Sequence, residues 1–277
     1  MVICTLPSIL LIFKEVSVKT RFICSAVYAR ERFHGLRMIH SSLTVNKIIT
    51  KSASILSQIY DHPFNYQLKA GSLPIKSFQH YIEQDRHYLR KFALALQIAS
   101  ERLTVQSHKH KFKQFAGDML ETERELHEKY LGKLLPYSLF SQSKNSQQKE
   151  IPVIANYTRY LLHKAQNSSV EEAVISLLPC FYIYMELGKR MQVHHCKANN
   201  PYLAWIASYS SQQFKSSTEE IIRISDELLK GVLCVEKQIA ICASFRISAE
   251  YEYQFFDAIY SKAHSMKFTD ELFKIRP

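Results

Sequence analysis

The sequence predicts an all-α protein, a multi-helix bundle. Long segments carry apolar residues at a 3.6-residue period. Six Gly and eight Pro are few for 277 residues. No convincing run of alternating strand residues between tight turns appears. With 47% hydrophobic and 12% aromatic residues, the chain can bury a large core.

The first 50 residues stand apart. MVICTLPSILLIF is apolar for thirteen residues before Lys14, too short for a membrane span. It lacks the basic n-region and clean small-residue cleavage site of a secretory signal. Residues 19–50 are basic and weakly periodic, which suits a targeting segment or a mis-called start, with Met38 opening a shorter product. The expected organisation is an extension over 1–50 and one helical domain over 51–277.

Net charge is +11, and residues 1–50 hold seven Lys/Arg against two Glu, about half of the excess. The remainder is interspersed with acidic residues, as on solvated helix faces. No zinc-finger spacing or RNA-binding signature accompanies it, which argues against a nucleic-acid partner. Cysteines at 4, 24, 180, 196, 234 and 242 form no CxxC and no regular framework. Reduced thiols in a cytoplasmic protein are expected, without disulfides or structural zinc.

A helical pattern begins near Ile55 and breaks at His62-Pro63. AGSLP at 70–74 reads as a turn, with Ser72 a capping candidate and Pro74 in the first turn of the next helix. That helix, 76–102, has the stripe Phe78, Tyr81, Ile82, Tyr88, Leu89, Phe92 and Leu96. Its missing member is position 85, and Asp85 occupies it. A carboxylate on a buried face is costly unless it is paired or used.

A helix over 108–135 and a polar loop over 141–152 follow, then helices near 153–167, 169–195, 201–208, 211–229 and 233–264. The last has the stripe Ile241, Phe245, Ser248, Phe255 and Ile259, with Glu252 at its inward position. The helix at 169–195 has the stripe Ala173, Leu177, Cys180, Tyr184, Leu187 and Met191. Cys180 and Tyr184, four apart, share a face. Pro179 has no amide for the Ile175 carbonyl and loosens the turn before the cysteine.

Each anomaly alone has an ordinary reading: a buried Cys is usually inert core, and buried tyrosines usually pack with their hydroxyls satisfied. Three anomalies on three helices suggest instead a polar, aromatic-lined pocket for a flat heteroaromatic ligand. Metal is the competing use. Di-iron bundles need paired Glu-x-x-His motifs, whereas Glu123 and His127 stand four apart without a matching set. His194, His195 and Cys196 are consecutive and share no helix face, and His62 is a poor haem ligand before a proline.

Six segments, in order and at fitting separations, resemble the TenA proteins, the thiaminase II or aminopyrimidine aminohydrolase family. They are HPF (62–64), GSLP with FQHYIEQDRHYL (71–74, 78–89), NYTRYLL (156–162), LLPCFYIYMELGKRM (177–191), NPYLAWIASYSSQQF (200–214) and EYEYQFFDAIY (250–260). The resemblance spans about 55–264. It implies a haem-oxygenase-like bundle without haem or other cofactor, commonly a homotetramer, with no membrane partner. The implied reaction cleaves a small-molecule aminopyrimidine, thiamin or its aminomethyl fragment, to hydroxymethylpyrimidine.

By this resemblance Cys180 is the nucleophile, Glu252 the acid/base, and Asp85 the carboxylate that holds the aminopyrimidine and tunes the thiol. Tyr88, Tyr157, Tyr184 and Tyr209 line the site. The chain departs from many relatives in having Phe255-Phe256 where Phe-Trp is common, and in residues 1–50. A regulatory or binding protein on the same fold, a metal-dependent oxygenase and a pyrroloquinoline-quinone synthase type are the alternatives. The last would need many Arg and His contacts, whereas the inward set here is tyrosine and carboxylate.

Overall fold

The computed structural model describes residues 42–131, 149–192 and 196–273. The targeting or start-site readings of the N-terminus, His194-His195 and positions 141–148 of the polar loop lie outside the described residues. Among the described residues there are helices and no strands.

The helical body starts before the expected boundary at 51. Helix α1 covers Val45–Lys51, with Thr44 as its side-chain cap, and buries Val45 and Ile48. The Val45 amide donates to Asp226 Oδ1 at 2.8 Å, tying this end to a helix 181 residues on. A seven-residue helix is too short to show a period in sequence, which is why residues 45–50 read as extension.

Helix α2, Ala53–Tyr60, gives way to α3, Pro63–Ala70, at the predicted break. His62 caps α3, its Nδ1 accepting from the Phe64 amide at 3.1 Å, and Pro63 begins the first turn. Gly71 closes α3 in the left-handed region, φ 72°. Ser72 gives its amide to the Gln67 carbonyl in that closure and does not cap the next helix, where Pro74 takes the N-cap position. Asn200 completes the end of α3, donating to the Leu68 and Lys69 carbonyls at 3.0 and 2.9 Å.

Helices α4, Ile75–Arg102, and α5, Gln106–Leu131, form a long packed pair. Helix α6, Pro152–Asn167, leads into α7, Val170–Met191. Ser169 caps α7 through the Glu172 amide at 3.2 Å, with Glu172 three positions on, as in a capping box. Helix α7 runs unbroken through Pro179, and its residues from Ala173 to Phe181 are all buried. It is central, packing against α4 and α6 and against the three helices that follow: α8, Leu203–Tyr209, α9, Gln212–Leu229, and α10, Val235–Phe273. A proline is tolerated here because packing against neighbouring helices, rather than one hydrogen bond, keeps the segment helical.

Gly188 sets how closely α7 meets α8. A Cβ at this position would lie 2.3 Å from the Tyr209 carbonyl oxygen. Only a glycine allows that approach, and it brings the Tyr209 ring against Tyr184. Among the described residues, no helix is long and apolar enough to cross a membrane.

Candidate active site

Five helices each deliver a polar side chain to one interior point. On α4, Tyr81, Asp85, Tyr88 and Phe92 succeed one another at steps of four and three, so one stripe carries all of them inward. Cys180 and Tyr184 come from α7, Tyr157 from α6, Tyr209 from the end of α8 and Glu252 from α10. All seven residues expected at the site are buried; Asp85 is 3% exposed and Glu252 1%. The two carboxyls that broke their apolar stripes therefore face the interior.

Their contacts form two layers. Asp85, Tyr88, Cys180, Tyr184 and Tyr209 line a narrow cleft with apolar walls from Leu89, Phe181 and Phe214. Glu252 and Tyr157 lie behind it. Tyr157 Oη donates to Glu252 Oε1 at 3.0 Å, and Tyr88 Oη lies 3.4 Å from the same oxygen. Tyr88 Oη is also 3.4 Å from Tyr157 Oη, and as a neighbouring donor it favours the Cys180 thiolate. One hydroxyl has one proton, so Tyr88 serves these acceptors in turn and links the thiol to the acid.

Electrostatics divide the two carboxyls from ordinary surface groups. Burial pushes Glu252 up to about 7, against hydrogen bonds from Tyr157, Tyr88 and Tyr184 that pull it down. Asp85 is raised well above the carboxylate range, by burial first and then by Glu252 and Glu123. Its carboxyl takes no hydrogen bond from a described residue, and it faces the cleft. The Cys180 thiol is raised by burial and then by the Glu252 charge, with Tyr88 opposing. Burial likewise raises Tyr88, Tyr157, Tyr184 and Tyr209, which stay protonated donors at neutral pH.

The cleft opens outward. Met119, Thr122, Phe181, Tyr209 and Phe214 form both its rim and the inner wall of a wider chamber. That chamber carries Asp118, Glu121 and Glu125 on the α5 side and Ser208, Ser211 and Ser217 opposite. A ligand entering here meets carboxylates first, on a chain whose overall charge is +11.

Three parts of the site escaped the sequence reading. Tyr81 was counted as an apolar stripe residue, yet its hydroxyl bonds Tyr184 Oη at 3.0 Å and so fixes a cleft wall. Its place one turn before Asp85 was the available signal. Met119 and Thr122 come from α5, whose long polar surface masks the inward pair three residues apart. Phe214 follows the Ser211 cap of α9, whose side chain holds the Phe214 amide at 3.1 Å. Glu123, weighed as a metal ligand, is engaged by Arg86 at 2.8 Å and Arg90 at 3.5 Å. Among the described residues no three His, Cys, Asp or Glu side chains converge as metal ligands would.

A buried thiol, two raised carboxyls and a tyrosine cage inside a helical bundle define an enzyme of the haem-oxygenase-like fold class. The fold itself has solved counterparts. A TenA homologue protein from P. horikoshii OT3 superposes with TM-score 0.67 at 23% identity, covering 78% of this chain and 97% of that one. A domain of Shewanella denitrificans OS217 described as having a heme oxygenase-like fold superposes with TM-score 0.64 at 13% identity, over 81% and 95%. The family model of TENA/THI-4/PQQC matches residues 49–262, and the chain belongs to that family. It is 30% identical over 202 residues to the aminopyrimidine aminohydrolase of Bacillus subtilis (strain 168), 73% of this chain and 83% of that relative.

Proposed function

We propose that this chain hydrolyses an aminopyrimidine at its exocyclic methylene, with Cys180 as nucleophile and no cofactor. The chain is an enzyme of the thiaminase II type, a hydrolase of thiamin-related chemistry. The observation that carries the finer reading is the Cys180–Tyr88–Glu252 connection, with Asp85 unengaged beside it.

The ring of the substrate enters between Tyr184, Tyr209 and Phe181 and stacks there. Asp85 accepts from its exocyclic amine, a buried acceptor that gains a partner only when substrate binds. Cys180 starts as a neutral thiol. Its proton passes through Tyr88 to Glu252 as sulfur attacks a ring carbon, and Glu252 in turn supplies a proton to a ring nitrogen. The electron pair released into the ring expels the protonated amine, or the thiazole of thiamin, from the methylene. Water then adds to the methylene and gives up a proton to Glu252. Rearomatisation breaks the carbon–sulfur bond as the ring nitrogen loses its proton, which returns to the departing thiolate, and Glu252 releases the proton taken from water to solvent. The net change is exchange of an amine for a hydroxyl, so no oxidant or reductant is consumed.

Both substrates carry a positive charge at the group to be expelled, ammonium or thiazolium, and the carboxylates of the outer chamber suit either on entry. A mass-spectrometric assay with aminomethyl-aminopyrimidine and thiamin side by side tests the reading. Hydroxymethylpyrimidine from at least one of them is expected. Neither substrate being turned over would overturn it.

A further inference from the structure

We propose that Ser248 is a positioning residue: its hydroxyl locks α10 onto α7 one turn before the reacting pair and fixes Glu252 relative to Cys180. The proposal rests on the catalytic roles given above to those two residues.

The link is a single buried hydrogen bond. Ser248 Oγ donates to the Ser176 carbonyl at 2.7 Å, and both residues are fully buried. Ser248 precedes Glu252 by four residues, and Ser176 precedes Cys180 by four. Residues four apart on a helix stack on one face, about 6 Å apart along the axis. The bond therefore pins the two helices directly beneath the two groups that exchange a proton. A slip of one helix along the other would separate those groups and break this bond together.

The hydroxyl's choice of partner is unusual for a serine inside a helix, which ordinarily returns its proton to its own preceding turn. Ser225 does so to Ile221 at 2.7 Å, Ser244 to Ala240 at 2.9 Å and Ser176 to Ala173 at 2.8 Å. Ser248 could have used the Ser244 carbonyl in the same way. That carbonyl instead lies 3.4 Å from the Tyr160 hydroxyl of α6, and Ser248 reaches across to α7.

The acceptor also matters. Pro179 has no amide, so the Ile175 carbonyl loses its helical partner in the turn that leads to Cys180. The adjacent carbonyl, Ser176, is the one the Cys180 amide uses in the regular pattern. An external donor from α10 braces this weakened turn at the carbonyl bonded to the cysteine's own amide. Ser248 itself is not part of the cleft wall, so its effect on the reaction is indirect.

The test compares S248A, S248T and S225A in the full chain. S225A removes a hydroxyl of equal burial that stays on its own helix. For S248A, kcat on the aminopyrimidine is expected to fall 10- to 100-fold with KM within about twofold, as misplacement of a reacting group does. S248T, which keeps the donor, restores kcat to within about fivefold; should its extra methyl prevent folding, S248C keeps the size with a weaker donor and falls between. S225A leaves kcat unchanged while losing comparable resistance to urea. Peptide-resolved alkylation of Cys180 by iodoacetamide across pH 6–10 supplies a readout free of turnover: the S248A profile shifts and the S225A profile does not. An S248A kcat within twofold of wild type, or a loss matched by S225A, overturns the proposal. If wild type turns over no aminopyrimidine, the functional reading fails while the alkylation profiles still decide the role of Ser248.

Discussion

Glu252→Gln should remove from the stability of this protein the loss with rising pH that is assignable to Glu252, while removing its activity. Glu252 is buried and held up to about 7, whereas an unfolded glutamate titrates at 4.5. Its folded form binds the proton more tightly, so stability from this group is fully present below pH 4.5 and is lost as pH rises through about 7. The gap between about 7 and 4.5, at about 1.4 kcal/mol per pH unit, is about 3 kcal/mol. Glutamine keeps an acceptor for the Tyr157 and Tyr88 hydroxyls and does not titrate. Its extra amide protons cost the same at every pH. The stability of the variant minus that of wild type should therefore rise by about 3 kcal/mol between pH 4.5 and 8. In thermal melts that is roughly 6–12 °C for a domain of this size. Asp85 is common to both proteins and cancels, apart from the push Glu252 exerts on it. Activity moves the other way, with kcat down about 10²- to 10⁴-fold, the range for a positioned acid/base. Parallel stability curves over this pH range, or turnover within tenfold of wild type, would refute the reasoning.

Other substitutions test the surroundings. Tyr157→Phe removes the 3.0 Å donor that pulls Glu252 down, so the acid limb of the kcat profile should move upward by about one to two pH units, as loss of a charge-assisted bond implies. An unmoved limb would deny Glu252 the acid/base role. Gly188→Ala places a Cβ against the Tyr209 carbonyl and should cost about 1–3 kcal/mol in denaturant melts while raising KM, because α8 must retreat with the cleft wall it carries. Unchanged KM would show that Tyr209 does not contact substrate.

The helical class and the inward set were legible because period and chemistry disagreed at few places. Asp85 and Glu252 sit where apolar side chains belong on strongly periodic helices, and both are buried in the structure. Cys180 carried no such signal, since a buried cysteine is ordinary on an apolar stripe. What period could not convey is layering. Glu252 and Tyr157 stand behind Tyr88 rather than in the cleft, a consequence of how α6 and α10 pack on α4 and α7. Helix ends shifted for local reasons. Gly71 in the left-handed region drew Ser72 into the closure of α3, and no run of seven residues could announce α1. Pro179 reads in sequence as a loosened turn, yet α7 passes through it intact because it is packed on every side.

The most direct test of the central claim is product formation by Cys180→Ala with aminomethyl-aminopyrimidine, followed by mass spectrometry beside wild type. The mechanism predicts hydroxymethylpyrimidine from wild type and none above background from a folded variant. Near-normal release by the variant would contradict cysteine catalysis outright.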